Sequence, residues 1–218
     1  MTISRPHGYL AAPSGDRSPG VLVLHAWWGL NSTIKTFCDR LSKEGFTAFA
    51  PDLYHGKLAT TIPEAEKLGH DLDGNYLQAK GEIYAAARSL ADRPKIVSSS
   101  LAVVAFSMGV YYALDLAAFH PDLIRSVVIF YGTGDGDYRN SKAVYLGHFA
   151  EKDQFEAPEN VDDLERRLKG ANRPVTFYRY PGTGHWFFEP DRTDAYNPVA
   201  AALAWERTLA FLKATFSA

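Results

Sequence analysis

Short runs of apolar residues alternate along this chain with longer stretches in which apolar positions recur every three or four residues. The short runs are Val21–His25, Phe46–Pro51, Leu101–Phe106, Ser126–Tyr131, Ala143–Gly147 and Val175–Tyr180, and they have the length and near-continuous hydrophobicity of strands buried on both faces. Between them, Thr33–Lys43, Tyr76–Ala91, Met108–Phe119 and Val161–Lys169 carry helical spacing, as in Val161, Leu164 and Leu168. Asn197-Pro198 opens a last helix, since proline suits a first helical turn, and Ala202, Trp205, Leu209, Leu212 and Phe216 follow in steps of threes and fours. This alternation predicts an α/β protein with a mainly parallel, doubly wound sheet flanked by helices on both faces. A further strand near Ile3–Ala11 would add an antiparallel edge. No linker, repeat or low-complexity tract interrupts the pattern, so one domain is expected over residues 1–218.

The stretch Leu101–Leu116, LAVVAFSMGVYYALDL, changes from strand-like to helix-like at Phe106-Ser107-Met108. A tight strand-to-helix turn of this kind lifts a serine hydroxyl above the sheet, provided that the residues two before and two after it are small. Here they are Ala105 and Gly109, one methyl group away from the usual G-x-S-x-G. In proteins built this way the acid and the histidine follow on loops leaving later strands. Asp153 follows the Ala143–Gly147 run, and His185 follows Val175–Tyr180 at the end of Pro181-Gly182-Thr183-Gly184. Asp135 and Asp137, after an earlier strand, are alternative acids. His25 and His148 leave strands toward the same face and are candidates for supporting roles, whereas Asp52 reads as a turn residue after Pro51.

The segments LHAWWGLN, APDLYHG, FSMGVYYALDLA, GHFAEKDQF and YPGTGHWFFE, spread from Leu24 to Glu189, resemble the dienelactone hydrolase family of α/β-hydrolases. The resemblance implies an α/β-hydrolase fold without a separate lid, no cofactor, and a nucleophile, acid and histidine at Ser107, Asp153 and His185. One oxyanion donor is expected from the backbone N–H of Met108, which follows the serine at a helix start, and the resemblance implies the Trp27 N–H as the second. Two departures accompany it. The best-known members carry a cysteine nucleophile and a glutamate that holds the resting thiol, where this chain has Ser107 and Ala26, so it resembles the serine branch. Those members also hold a substrate carboxylate with arginines, whereas here the histidine is followed by Trp186-Phe187-Phe188-Glu189 and Tyr54–Tyr76 contains no arginine. Glu189 is expected to repel an anionic substrate, unless Lys57, Lys67 or Arg139 folds into the site.

Composition narrows the remaining classes. Hydrophobic residues make up 46% of the 218, enough for a sheet covered on both faces, and a net charge of −2 provides no basic footprint for nucleic acid. No stretch has the length and apolarity of a membrane span, and the first twenty residues lack the apolar core of a signal peptide, so a cytoplasmic location is expected. Cys38 is the single cysteine and lies among Ile34, Phe37 and Leu41, as a buried structural thiol would. Metal-ligand spacings are absent, and Gly132, Gly134 and Gly136 have neither the Walker lysine nor the dinucleotide spacing.

The expected activity is hydrolysis of small esters or lactones by a monomer or homodimer through an acyl-enzyme, in a pocket walled by Trp27, Trp28, Tyr54, Trp186 and Phe187. Carboxymethylenebutenolidase activity, a thioesterase and a small peptidase would use the same groups. A catalytically silent binding protein on this fold belongs to a different class, and it would be expected to have lost one of the three residues that this chain retains.

Overall fold

The computed structural model describes residues 6–15 and 17–217. Among these residues seven strands form one sheet in the order β1-β3-β2-β4-β5-β6-β7. Gly8–Ala11 (β1) pairs antiparallel with Thr47–Pro51 (β3) at the edge. Gly20–Leu24 (β2), Leu101–Phe106 (β4), Ile124–Phe130 (β5), Val144–Ala150 (β6) and Val175–Tyr180 (β7) continue the sheet in parallel from β3. The expected antiparallel edge is thus present in β1; the Ile3–Arg5 part of that expectation lies outside the described residues.

The helices are Ser32–Lys43 (α1), Ile62–Asp73 (α2), Tyr76–Ala91 (α3), Met108–Phe119 (α4), Pro158–Gly170 (α5) and Pro198–Ser217 (α6). Alternation along each strand feeds two cores. Leu101, Val103 and Ala105 of β4 face the cluster that contains Ile83 of α3, Val110 of α4 and Leu164 of α5. Ala102, Val104 and Phe106 face the cluster that contains Phe37 of α1 and Leu212 of α6. Both faces of β4 are therefore dry, which is why its sequence is continuously apolar rather than alternating. Asn197 Oδ1 accepts from the Ala200 N–H at 3.0 Å and caps α6, where Asn197-Pro198 predicts its start.

Two differences from the sequence reading have identifiable causes. Helix α2 occupies part of the Tyr54–Tyr76 stretch that is read above without an element. It begins with a full capping box, Thr61 and Glu64, with Pro63 in its first turn. Strand β6 runs three residues past Gly147, because His148, Phe149 and Ala150 pair in register with Tyr178, Arg179 and Tyr180. None of the described helices is long and apolar enough to cross a membrane.

Candidate active site

Ser107 sits between β4 and α4 with φ 48° and ψ −118°, outside the regions that an L-residue ordinarily occupies. Two close approaches hold the backbone there. A Cβ on Gly109 would lie 2.8 Å from the His25 carbonyl oxygen, and one on Gly132 only 2.5 Å from the Ser107 carbonyl oxygen. The Ser107 N–H donates to Phe130 O at 2.8 Å, fastening the turn to the end of β5. Ala105 is fully buried between Leu24 and Ile129 in the sheet, so its methyl group is accommodated as core.

The loops after β6 and β7 deliver Asp153 and His185. They are tied together by the Lys152 N–H to Thr183 O bond at 2.9 Å and by the Gly182 N–H to Glu151 Oε2 bond at 2.9 Å. His185 Nδ1 lies 2.8 and 2.7 Å from the two Asp153 oxygens, and its Nε2 lies 2.9 Å from Ser107 Oγ. A carboxylate only accepts, so Nδ1 carries the proton and Nε2 is left to accept from the serine hydroxyl. Asp153 Oδ1 also accepts from the Phe155 and Glu156 N–H groups, each at 2.9 Å. The His185 and Asp153 side chains are 3% and 5% exposed, so this line of hydrogen bonds is shielded from water. Tyr131 and Phe155 lie against the imidazole at ring separations of 4.9 and 5.2 Å, restricting its rotation.

Asp135 and Asp137 are elsewhere. Asp137 pairs with Arg139 at 2.6 Å on the surface, and both aspartates border a separate depression with Arg167. His25 and His148 are wholly buried and serve the framework. His25 Nε2 accepts from the Leu53 N–H at 3.3 Å, and His148 joins Tyr180 and Thr208 at 2.8 and 2.9 Å. Burial lowers the pKa of both histidines, to about 3 for His148. Asp52 accepts from the Tyr54 and Gly56 N–H groups, as its reading as a turn residue anticipates. Burial pushes the Cys38 thiol up to about 12, in keeping with a structural thiol.

A cleft of about 510 Å³ opens over Ser107 and His185. Trp27, Met108, Tyr131 and Phe155 wall it near the serine; Tyr76, Tyr111 and Tyr112 come from α3 and α4. Among the described residues the backbone N–H groups of Trp27 and Met108 have no acceptor.

The expected aromatic wall needs correction, because Trp28, Tyr54, Trp186 and Phe187 do not border this cleft. Trp28 is 2% exposed, packs edge-on against Trp186 and lies under the Arg192 guanidinium. Tyr54 turns inward, with its hydroxyl 3.4 Å from Met108 Sδ and its ring against His25. Phe187 is enclosed by Tyr131 and Tyr180. Large rings at strand ends are worth more to the core as buried area than as cleft lining. Tyr76, Tyr111, Tyr112 and Phe155, which do line it, sit on helices and on a loop where sequence pattern alone marks them as ordinary surface or core positions.

Glu189 also departs from expectation. It is completely buried, accepts from the Tyr131 hydroxyl at 2.7 Å on Oε1, and has no partner for Oε2 among the described residues. Burial pushes its pKa up to about 8, which favours the uncharged acid and weakens the repulsion expected of it. The acidic character of the cleft comes instead from Asp73 and Glu156, which were not singled out from sequence. Lys57, Lys67 and Arg139 lie outside the lining, which contains no lysine or arginine among the described residues. Among the described residues no group of three or more His, Cys, Asp or Glu side chains is placed to hold a metal ion.

The sequence profile of the Dienelactone hydrolase family matches residues 7–216. "Protein usf" of Aquifex pyrophilus is 36% identical over 213 residues, covering 94% of this chain and 92% of that protein. "Probable 2-oxo-3-(5-oxofuran-2-ylidene)propanoate lactonase" of Bradyrhizobium sp. is 31% identical, covering 94% and 88%. The crystal structure of a dienelactone hydrolase-like promiscuous phosphotriesterase from metagenomic libraries superposes with a TM-score of 0.84 at 20% identity, covering 93% of this chain and 88% of that one; at that identity the likeness concerns the fold. A profile match running from before β1 into the end of α6, together with relatives aligned over nearly their whole length, assigns the chain: it belongs to the dienelactone hydrolase family.

Proposed function

We propose that this chain hydrolyses small esters or lactones by two-step acyl transfer at Ser107. The serine hydroxyl attacks the substrate carbonyl while His185 Nε2 takes its proton, and Asp153 holds the imidazole in that tautomer and balances its cationic form. The carbonyl oxygen becomes an oxyanion between the N–H groups of Trp27 and Met108, the latter a free donor at the start of α4. His185 returns the proton to the leaving alcohol or ring oxygen. A water molecule, deprotonated by the same nitrogen, then releases the acid and restores Ser107.

The observation that carries this reading is the unbroken line of hydrogen bonds from Ser107 Oγ through the imidazole to Asp153, opening on a cleft. The lactonase name borne by the Bradyrhizobium relative supports the lactone side of the substrate class. A fluorophosphonate probe tests the assignment: it is expected to add to Ser107, located by peptide mass spectrometry, and to miss the Ser107→Ala variant. Labelling at another residue of folded protein would overturn the assignment.

A further inference from the structure

The cleft over Ser107 has an unusual balance of groups. Asp73, at the end of α2, accepts from the Tyr112 hydroxyl at 2.9 Å, and Glu156 accepts from Asn160 Nδ2 at 3.0 Å. Neither has a lysine, arginine or histidine as an ion-pair partner among the described residues, whereas Asp115, Asp122 and Glu44 each hold a lysine within 2.9 Å. The cleft thus has two carboxylates without cations. Beside them, Tyr76, Tyr111 and Phe155 keep about 40% of their surface exposed, unlike the enclosed rings of Trp28 and Phe187. Lys80 lies 5.3 Å from the Tyr76 ring, but it is held by Asp115 at 2.6 Å and does not line the cleft.

Open aromatic rings with uncompensated carboxylates form the environment that holds an alkylammonium group, through the negative ring faces and through direct charge attraction. Building on the acyl-transfer reading, we propose that the preferred substrates are esters carrying a cationic, ammonium-type substituent, seated between Asp73, Glu156 and the rings of Tyr76, Tyr111 and Phe155. Burial raises the pKa of the Glu156 carboxyl, and a cation arriving beside it offsets that desolvation.

Two matched pairs test the proposal, one with the charge in the alcohol and one with it in the acyl chain. Acetylcholine is compared with its carbon isostere, neohexyl acetate. The phenyl ester of γ-trimethylammoniobutyrate is compared with that of its tert-butyl carbon isostere. Each kcat/KM is divided by the ester's own hydroxide-catalysed rate, which removes the inductive effect of the ammonium group. At low ionic strength the charged member of at least one pair should be favoured by about tenfold, mainly through KM, and added salt should shrink the ratio. In the Asp73→Asn, Glu156→Gln double variant that ratio should fall toward unity. The ratio is read within one sample, so a loss of folded protein cancels. A ratio of one or less in both pairs while neutral esters are hydrolysed, or a ratio unchanged in the double variant, overturns the proposal and leaves acyl transfer standing. Failure to hydrolyse every ester, with Ser107 unlabelled, overturns the acyl-transfer reading and this inference with it.

Discussion

At the scale of single residues, Ser107, Asp153 and His185 stand out in the sequence because each follows a strand and they come in a consistent order. The choice between Asp153 and its alternatives needs coordinates: Asp153 lies 2.7 Å from the imidazole, while Asp137 is held by Arg139. Asp153→Asn is therefore expected to lower ester turnover by roughly 10⁴-fold at neutral pH, and Asp137→Asn to leave it near wild type. Steady-state rates on one neutral ester decide this, and the opposite ranking would refute the assignment. Glu189 supports a prediction about stability. Its pKa is about 8 in the folded protein, against 4.5 as the ordinary value, so the folded state holds a proton that the unfolded chain releases. That contribution is complete below about pH 4.5 and is lost as pH rises through about 8. Glu189→Gln keeps an acceptor for Tyr131 and removes the titration. Between pH 5 and 9, urea denaturation should show wild type losing on the order of a few kcal/mol more than the variant. Parallel curves would show that Glu189 is ionised throughout.

At the scale of elements, the strand-to-helix turn is shaped as much by its neighbours as by its own residues. Gly132, at the exit of β5, passes so close to the Ser107 carbonyl that a methyl group there must push the turn aside. Gly132→Ala should cost about 1–3 kcal/mol by thermal or chemical denaturation. It should also lower kcat by roughly 10²-fold, since a displaced nucleophile no longer meets the bound carbonyl. Unchanged kcat in this variant would mean that the turn has more freedom than its contacts imply. Helix α2 illustrates a signal present but unused: Thr61-Ile62-Pro63-Glu64 is a capping box with proline in the first turn, legible without coordinates. The extension of β6 had no comparable signal, because it depends on pairing with β7, where His148 meets Tyr178, 30 residues further along the chain.

At the scale of the whole molecule, the cleft draws its lining from the β2–α1 loop, α2, α3, α4 and the loops after β5, β6 and β7. No local pattern specifies which side chains meet across such a space. The consequence for substrates is electrostatic, since among the described residues the lining contains Asp73 and Glu156 but neither lysine nor arginine. A neutral lactone should be hydrolysed with a higher kcat/KM than the same ring bearing a free carboxylate, with the gap narrowing as salt is added. Equal or better turnover of the carboxylated lactone at low salt would require a cation that these elements do not supply. By itself the sequence determined the α/β architecture, the order in which Ser107, Asp153 and His185 leave their strands and the position of the turn, because strand periodicity, glycine placement and loop chemistry act over a few neighbouring residues. Only the tertiary structure decided that Trp28, Tyr54, Trp186 and Phe187 turn inward, that Glu189 is buried with its pKa raised, and that Asp73 and Glu156 colour the cleft. Burial is a property of the surroundings, and hydrophobic area and charge move to wherever the assembled elements leave them dry or wet.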